Sequence, residues 1–152
     1  LTFELSNPVL YQVGLEAAVE SYLAERIQGQ FGIKCKFKSE GPQSSLEEDV
    51  RVVLFQAVRE LLANVVKHAN ASTVEVYISN TKDDLRIVVQ DDGVGFDPTE
   101  IGPHPSGRGG FGLFNIRERL EYLGGNVKIE SRRKNGARIT MTVAIRMDAA
   151  AE

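Results

Sequence analysis

Apolar residues recur at helical spacing from Leu15 onward, at Leu15, Ala18, Val19, Tyr22, Leu23 and Ile27. Positions three and four apart share one face of a helix, so this run predicts an amphipathic helix ending near Gly29 and Gly32. Ile33, Cys35 and Phe37 then alternate with Lys34, Lys36 and Lys38, which predicts a half-buried strand with a lysine-rich outer face, broken at Gly41-Pro42. A longer helical period follows at Val50, Val53, Leu54, Ala57, Val58, Leu61, Leu62 and Val65. Ser45 and Glu48 have the spacing of a capping box in front of it, and it is predicted to stop near Asn70. Val74, Val76 and Ile78 mark the next strand, residues Asn80 to Asp84 a polar turn, and Leu85, Ile87 and Val89 a strand that runs into Asp91. Leu113, Ile116, Leu120 and Leu123 give a third helix, stopped by Gly124-Gly125. Val127 and Ile129, then Ile139, Met141, Val143 and Ile145, form a hairpin with Asn135-Gly136 as its tight turn.

Helices and strands are therefore mixed rather than strictly alternating. The predicted fold is a two-layer α/β sandwich (α+β): a mixed, mostly antiparallel sheet of about five strands with three helices on one face. Residues 1–13, with Pro8, read as a linker or the end of an upstream segment, 14–147 as the domain, and 148–152 as a tail. Residues 97–110 contain three prolines, several glycines and no helical period, so they read as a long loop of the kind that is either functional or disordered. The chain starts at Leu1 within this pattern, so an excised piece of a longer protein is expected.

Composition narrows the function only by exclusion. The 152 residues suffice for one domain with a real core. A formal net charge of -3 argues against non-specific nucleic-acid binding, which needs a basic surface. Cys35 is the sole cysteine, so no intrachain disulfide can form, which fits a reducing compartment. No apolar run approaches a membrane span and no signal-peptide pattern is present. The domain is expected to be cytoplasmic and to make no membrane contact itself, whether or not its parent is membrane-anchored.

Three elements carry chemistry. Asp91 closes a strand, and Gly93 and Gly95 follow at once. A buried carboxylate can accept a charge-assisted hydrogen bond from the exocyclic amino group of adenine, where guanine presents a repelling carbonyl. The glycines let the backbone approach a base closely. On the long helix, Gln56, Glu60 and Asn64 form a polar stripe that Lys67 and His68 continue. Asn64 offers an amide oxygen suited to Mg²⁺, which bridges to phosphates while keeping several waters. Glu60 could orient a metal-bound water or act as a base, and Lys67 could meet phosphate as a point charge. Gly109-Gly110-Phe111-Gly112 enters the third helix, whose free N–H groups favour anions. It is neither a Walker loop nor a dinucleotide fingerprint. Each element also has an ordinary structural reading: an Asp-Gly turn, a solvated helix face, a flexible glycine loop. His68 ends a helix and reads as a helix-end or pocket-lining residue, His104 has no partner in sequence, and no spacing suggests zinc.

Taken in order, these residues resemble the GHKL ATP-binding superfamily, which includes gyrase-type ATPases, large heat-shock chaperones, sensor histidine kinases and mismatch-repair ATPases. Glu60…Asn64 resembles its N box, Asp91-Asp92-Gly93-Val94-Gly95 its G1 box, and Gly110-Phe111-Gly112-Leu113 its G2 box. The runs from Gln56 to Ala69 and from Gly112 to Arg119 look like the sensor kinases that pair with NarL-type response regulators, as does Asn7-Pro8-Val9-Leu10 before Gly14-Leu15. The resemblance implies the Bergerat fold, with ATP and Mg²⁺ as ligands. It implies Glu60 and Asn64 as catalytic and Mg²⁺-binding residues, with Asp91 reading adenine. Asn64, Lys67, His68, Gly93, Gly95, Phe96, Arg108, Gly110, Phe111, Gly112 and Leu113 would complete the nucleotide site, with residues 97–110 as an ATP lid. It implies phosphoryl transfer to a histidine on an upstream dimerisation helix outside this chain, and a response regulator downstream. A freestanding anti-sigma-factor serine kinase and a degenerate, non-catalytic GHKL module are the alternatives. The second draws on one departure: where the family often has Gly-Thr entering its last strand, this chain has Gly136-Ala137.

Overall fold

The computed structural model describes residues 14–42, 46–100 and 110–145. The predicted linker 1–13, tail 148–152, Ser45, His104, Arg108 and most of the predicted lid lie outside these described residues. Helix α1 runs as an α-helix over Leu15–Tyr22, widens to a π-turn over Leu23–Gln28 and closes with Gly29–Phe31. Its periodic residues Leu15, Val19, Leu23 and Ile27 are at most 2% exposed. Full burial of an aliphatic side chain contributes about 1.5–3 kcal/mol, so this stripe is the main force holding α1 to the sheet. Gly32 ends the helix in the left-handed conformation, with its N–H on the Gln28 carbonyl.

Strand β1 (Lys34–Glu40) leads into α2 (Glu48–Asn64), which continues as a π-turn over Val65–Ala69 and is stopped by Asn70 at φ 51°. The cap of α2 is Glu47, without a side-chain cap bond, so the helix starts later than the Ser45 capping box predicts. Strands β2 (Thr73–Asn80) and β3 (Asp84–Asp91) follow, then a short 3₁₀ turn (Pro98–Glu100), α3 (Gly110–Tyr122), β4 (Asn126–Ser131) and β5 (Ala137–Ala144). The sheet order is β1-β2-β3-β5-β4. β1 pairs parallel with β2, which requires the crossover that α2 supplies, and the other three pairs are antiparallel. This is the predicted mixed α/β sandwich.

The strand period of two gives the sheet two unlike faces. Val74, Val76, Ile78, Leu85, Ile87, Val89, Ile139, Met141 and Val143 form a buried row set, joined in one core with residues of all three helices. On the opposite face Lys36, Glu75, Gln90, Arg138 and Glu130 stand side by side across all five strands, exposed. Asn80 ends β2 instead of opening the turn; it is buried and donates from Nδ2 to Glu16 Oε2 at 2.8 Å, tying the sheet to the first turn of α1. The hairpin turn also departs from its sequence reading. The last paired residues are Ser131 and Ala137, so the connection is the five-residue loop 132–136, with Lys134 and Gly136 both at φ 74°.

Candidate nucleotide site

The sheet register brings Val74, Asp91, Ala137 and Ser131 into one row at the end of the core-facing side. Asp91 thus sits where the apolar layer opens beside the end of α2. Its Oδ1 accepts the Gly93 N–H at 2.8 Å. Burial raises the Asp91 carboxyl above its ordinary value, and the adjacent charge of Asp92 adds to this. The N–H groups of Gly93 and Ala137 work in the opposite direction. Asp92 points elsewhere: its Oδ1 accepts the N–H groups of Ser72 and Thr73 at 2.8 and 2.9 Å, which lowers its pKa and pins the loop to the start of β2.

The glycines are set by contacts. A Cβ on Gly93 would lie 2.2 Å from the Ala69 carbonyl oxygen, which also accepts the Val94 N–H at 2.7 Å. The loop therefore rests directly on the last turn of α2. Gly95 has φ +68°, and a Cβ there would lie 1.9 Å from the Arg132 carbonyl oxygen. Only glycine fits both the backbone and the space. At the start of α3, a Cβ on Gly112 would lie 2.9 Å from Glu60 Oε2, so the glycine entry brings this helix end against Glu60.

A cavity with about 560 Å³ of space, counting its opening to solvent, lies between these elements. α2 lines it with Leu61, Asn64, Val65, His68 and Ala69, β3 with Val89 and Asp91, the following loop with Gly95 and Phe96, α3 with Leu113, and β5 with Ala137 and Ile139. The wall is mostly apolar with few polar groups, the usual make-up of small-molecule sites. Among the described residues Asp91 is the one carboxylate in the lining, and Asn64 Nδ2 is buried without a hydrogen-bond partner. An orphaned buried amide donor in the wall calls for a polar partner.

Of the predicted residues, Asn64, His68, Asp91, Gly95, Phe96 and Leu113 converge on this cavity. Gly93 and Gly112 shape its edges through Ala69 and Glu60. Glu60 and Lys67 are exposed and outside the lining, and Gly110 and Phe111 belong to the first turn of α3. Leu61, Val65, Ala69, Val89, Ala137 and Ile139 are wall residues that the polar-stripe reading missed. Their signal was present: Leu61, Asn64, Val65 and His68 keep helical spacing, and Val89 and Asp91 share a strand face. Among the described residues no group of three His, Cys, Asp or Glu could hold a metal ion.

An α/β sandwich with a mostly apolar cavity, a carboxylate in its lining and a polar helix flank is an arrangement suited to a nucleotide. Residues 49–147 match the family described as "Histidine kinase-, DNA gyrase B-, and HSP90-like ATPase". The chain belongs to that family. It is 36% identical over 149 residues to an uncharacterized sensor-like histidine kinase of Chloroflexus aurantiacus, covering 95% of this chain and 25% of the relative. It is 32% identical over 145 residues to the signal transduction histidine-protein kinase/phosphatase DegS of Brevibacillus brevis, covering 95% and 36%. The oxygen sensor histidine kinase NreB of Staphylococcus carnosus gives 32% identity over 145 residues, covering 95% and 40%. The chain therefore spans between a quarter and two fifths of the length of these relatives. The fold is that of the histidine kinase domain of the blue-light activated kinase from Erythrobacter litoralis, with a TM-score of 0.68 at 20% identity over 86% of this chain and 61% of that one. No helix among the described residues is long and apolar enough to cross a membrane.

Proposed function

We propose that residues 14–147 form the Mg-ATP-binding catalytic domain of a two-component sensor kinase, which presents the γ-phosphate of ATP to a histidine on a dimerisation helix outside this chain. The observation that carries this is the placement of Asp91 in the wall of a mostly apolar cavity that Asn64 of α2 also lines. Asp91 would accept the adenine amino hydrogen while Leu113, Ile139 and Val65 cover the base. Asn64 would hold Mg²⁺ through its amide oxygen, with Glu60 and Lys67 at the solvent side toward the phosphates. Bound Mg²⁺ would neutralise charge on those phosphates, as phosphoryl transfer requires. The chain's own contribution is positioning: the base on Asp91, the phosphates before the N-terminal turn of α3. A response regulator would receive the phosphoryl group downstream. The names of the relatives favour this reading over an anti-sigma-factor serine kinase.

The test supplies this chain in trans to the dimerisation helices of its parent kinase with radiolabelled ATP. Acid-labile phosphate on the helices supports the reading; acid-stable phosphate on serine contradicts it. Asn64→Ala and Asn64→Asp are expected to lower transfer about 10- to 100-fold, the range seen when metal-site groups are removed. The thermal midpoint should move little, because Asn64 Nδ2 makes no hydrogen bond that folding relies on. A variant that unfolds and loses activity in proportion would assign Asn64 to the scaffold.

A further inference from the structure

The hydroxyl of Ser131 joins two segments that meet nowhere else through a side chain among the hydrogen bonds described. Its Oγ accepts the Phe96 N–H at 2.9 Å and donates to the Gly136 carbonyl at 2.9 Å. Phe96 lines the nucleotide cavity; Gly136 sits in the β4–β5 loop. Ser131 is half-buried at the end of β4, in the same row as Ala137 and Asp91. Around it the two loops are in close backbone contact. The Lys134 N–H donates to the Val94 carbonyl, and the place of a Gly95 Cβ is filled by the carbonyl oxygens of Arg132 and Gly136. A Cβ on Gly136 would in turn meet the Asp91 carbonyl oxygen at 2.3 Å. Ser131 thus lies at the centre of a wall formed by residues 94–96 on one side and 132–136 on the other, with Asp91 beneath.

Building on the nucleotide-site reading above, we infer that Ser131 is a positioning residue for base binding: its hydroxyl fixes the Gly95–Phe96 backbone against the β4–β5 loop and so sets the wall of the adenine slot. Ser131 is absent from the lining of that slot and acts through Phe96. The hydroxyl both accepts and donates here, a pair of roles that alanine and valine lack and threonine keeps. Without it the Phe96 N–H and the Gly136 carbonyl lose a shared partner, and the Gly95–Phe96 segment gains freedom that a bound base must then remove.

The shape-matched pair Ser131→Thr and Ser131→Val isolates the hydroxyl. ADP binding by calorimetry on the whole chain is expected to be unchanged in S131T and about three- to tenfold weaker in S131V, the loss that corresponds to one or two ordinary hydrogen bonds. Amide exchange at Phe96 in the nucleotide-free protein is expected to be slow in wild type and S131T and fast in S131V. Equal ADP affinity in folded S131T and S131V overturns the inference, as does a drop in thermal midpoint with affinity unaltered, which would make Ser131 purely structural. Should S131V not fold, a wild-type Phe96 amide that exchanges at the rate of an unprotected loop overturns it without any variant. Absence of ADP binding in wild type is separate: it removes the nucleotide reading itself, and with it this inference.

Discussion

Asp91→Asn is expected to weaken ADP binding by about 1.5–3 kcal/mol, the worth of a hydrogen bond to a charged group. The amide keeps an oxygen for the Gly93 N–H but can offer the adenine amino group only a neutral acceptor. The same substitution should stabilise the nucleotide-free fold at neutral pH. Burial raises the Asp91 pKa, so the folded state resists ionisation more than the unfolded chain does. Stability contributed by this site is therefore fully present at low pH and is lost as pH rises from the unfolded carboxyl value through the raised folded one. Binding runs the other way: it requires the carboxylate, so ADP affinity should fall as pH drops through the raised value, and this pH dependence should vanish in D91N. Calorimetry across mildly acidic to neutral pH, paired with thermal unfolding of both proteins, reads both effects. Tighter binding by D91N, or a nucleotide-free D91N less stable than wild type at neutral pH, would contradict the assignment.

Gly95→Ala is expected to act on fold and site together. The left-handed backbone costs a non-glycine residue about 1 kcal/mol, and the contact with the Arg132 carbonyl adds an overpacking cost of about 1–3 kcal/mol. The strain falls on backbone atoms, which cannot move aside as a side chain tip can. Chemical denaturation should show a loss in this range, and ADP affinity should fall in the fraction that remains folded, because the displaced segment includes Phe96. A G95A protein with wild-type stability would show that the 94–96 and 132–136 loops are not in contact as described.

Much of this was legible in the chain. The apolar periods place all three helices, and their stops at Gly32 and Asn70 follow from the residue types that tolerate a left-handed conformation. Alternation places the strands, and Asp91 and Gly95 do line the cavity. Other features depend on contacts that have no local signature. The final turn of α2 is a π-turn, in which bonding reaches one residue further, so the face presented to the cavity shifts. His68 and Ala69 are in the lining and Lys67 is outside it. The sequence reading places His68 in the pocket; it does not anticipate Ala69 in the lining or Lys67 outside it. Asn135-Gly136 suggested a two-residue turn, but Gly136 is engaged by Ser131 and stacked on Asp91, and the loop lengthens to reach Val94. A lone serine at a strand end carries no pattern at all, and Ser131 emerges only once the strands are aligned. Ala137 keeps the backbone N–H that faces Asp91, so the missing side-chain hydroxyl leaves that carboxylate with a donor from the same position.

The central claim is that Asp91 and its cavity select adenine nucleotides, and calorimetry of the isolated chain with ATP, ADP and GTP in the presence of Mg²⁺ tests it most directly. ATP and ADP are expected to bind, and GTP to bind at least about tenfold more weakly, since its carbonyl would face the carboxylate and leave it without a donor. Equal affinity for ATP and GTP, or no binding of either adenine nucleotide, would contradict the account.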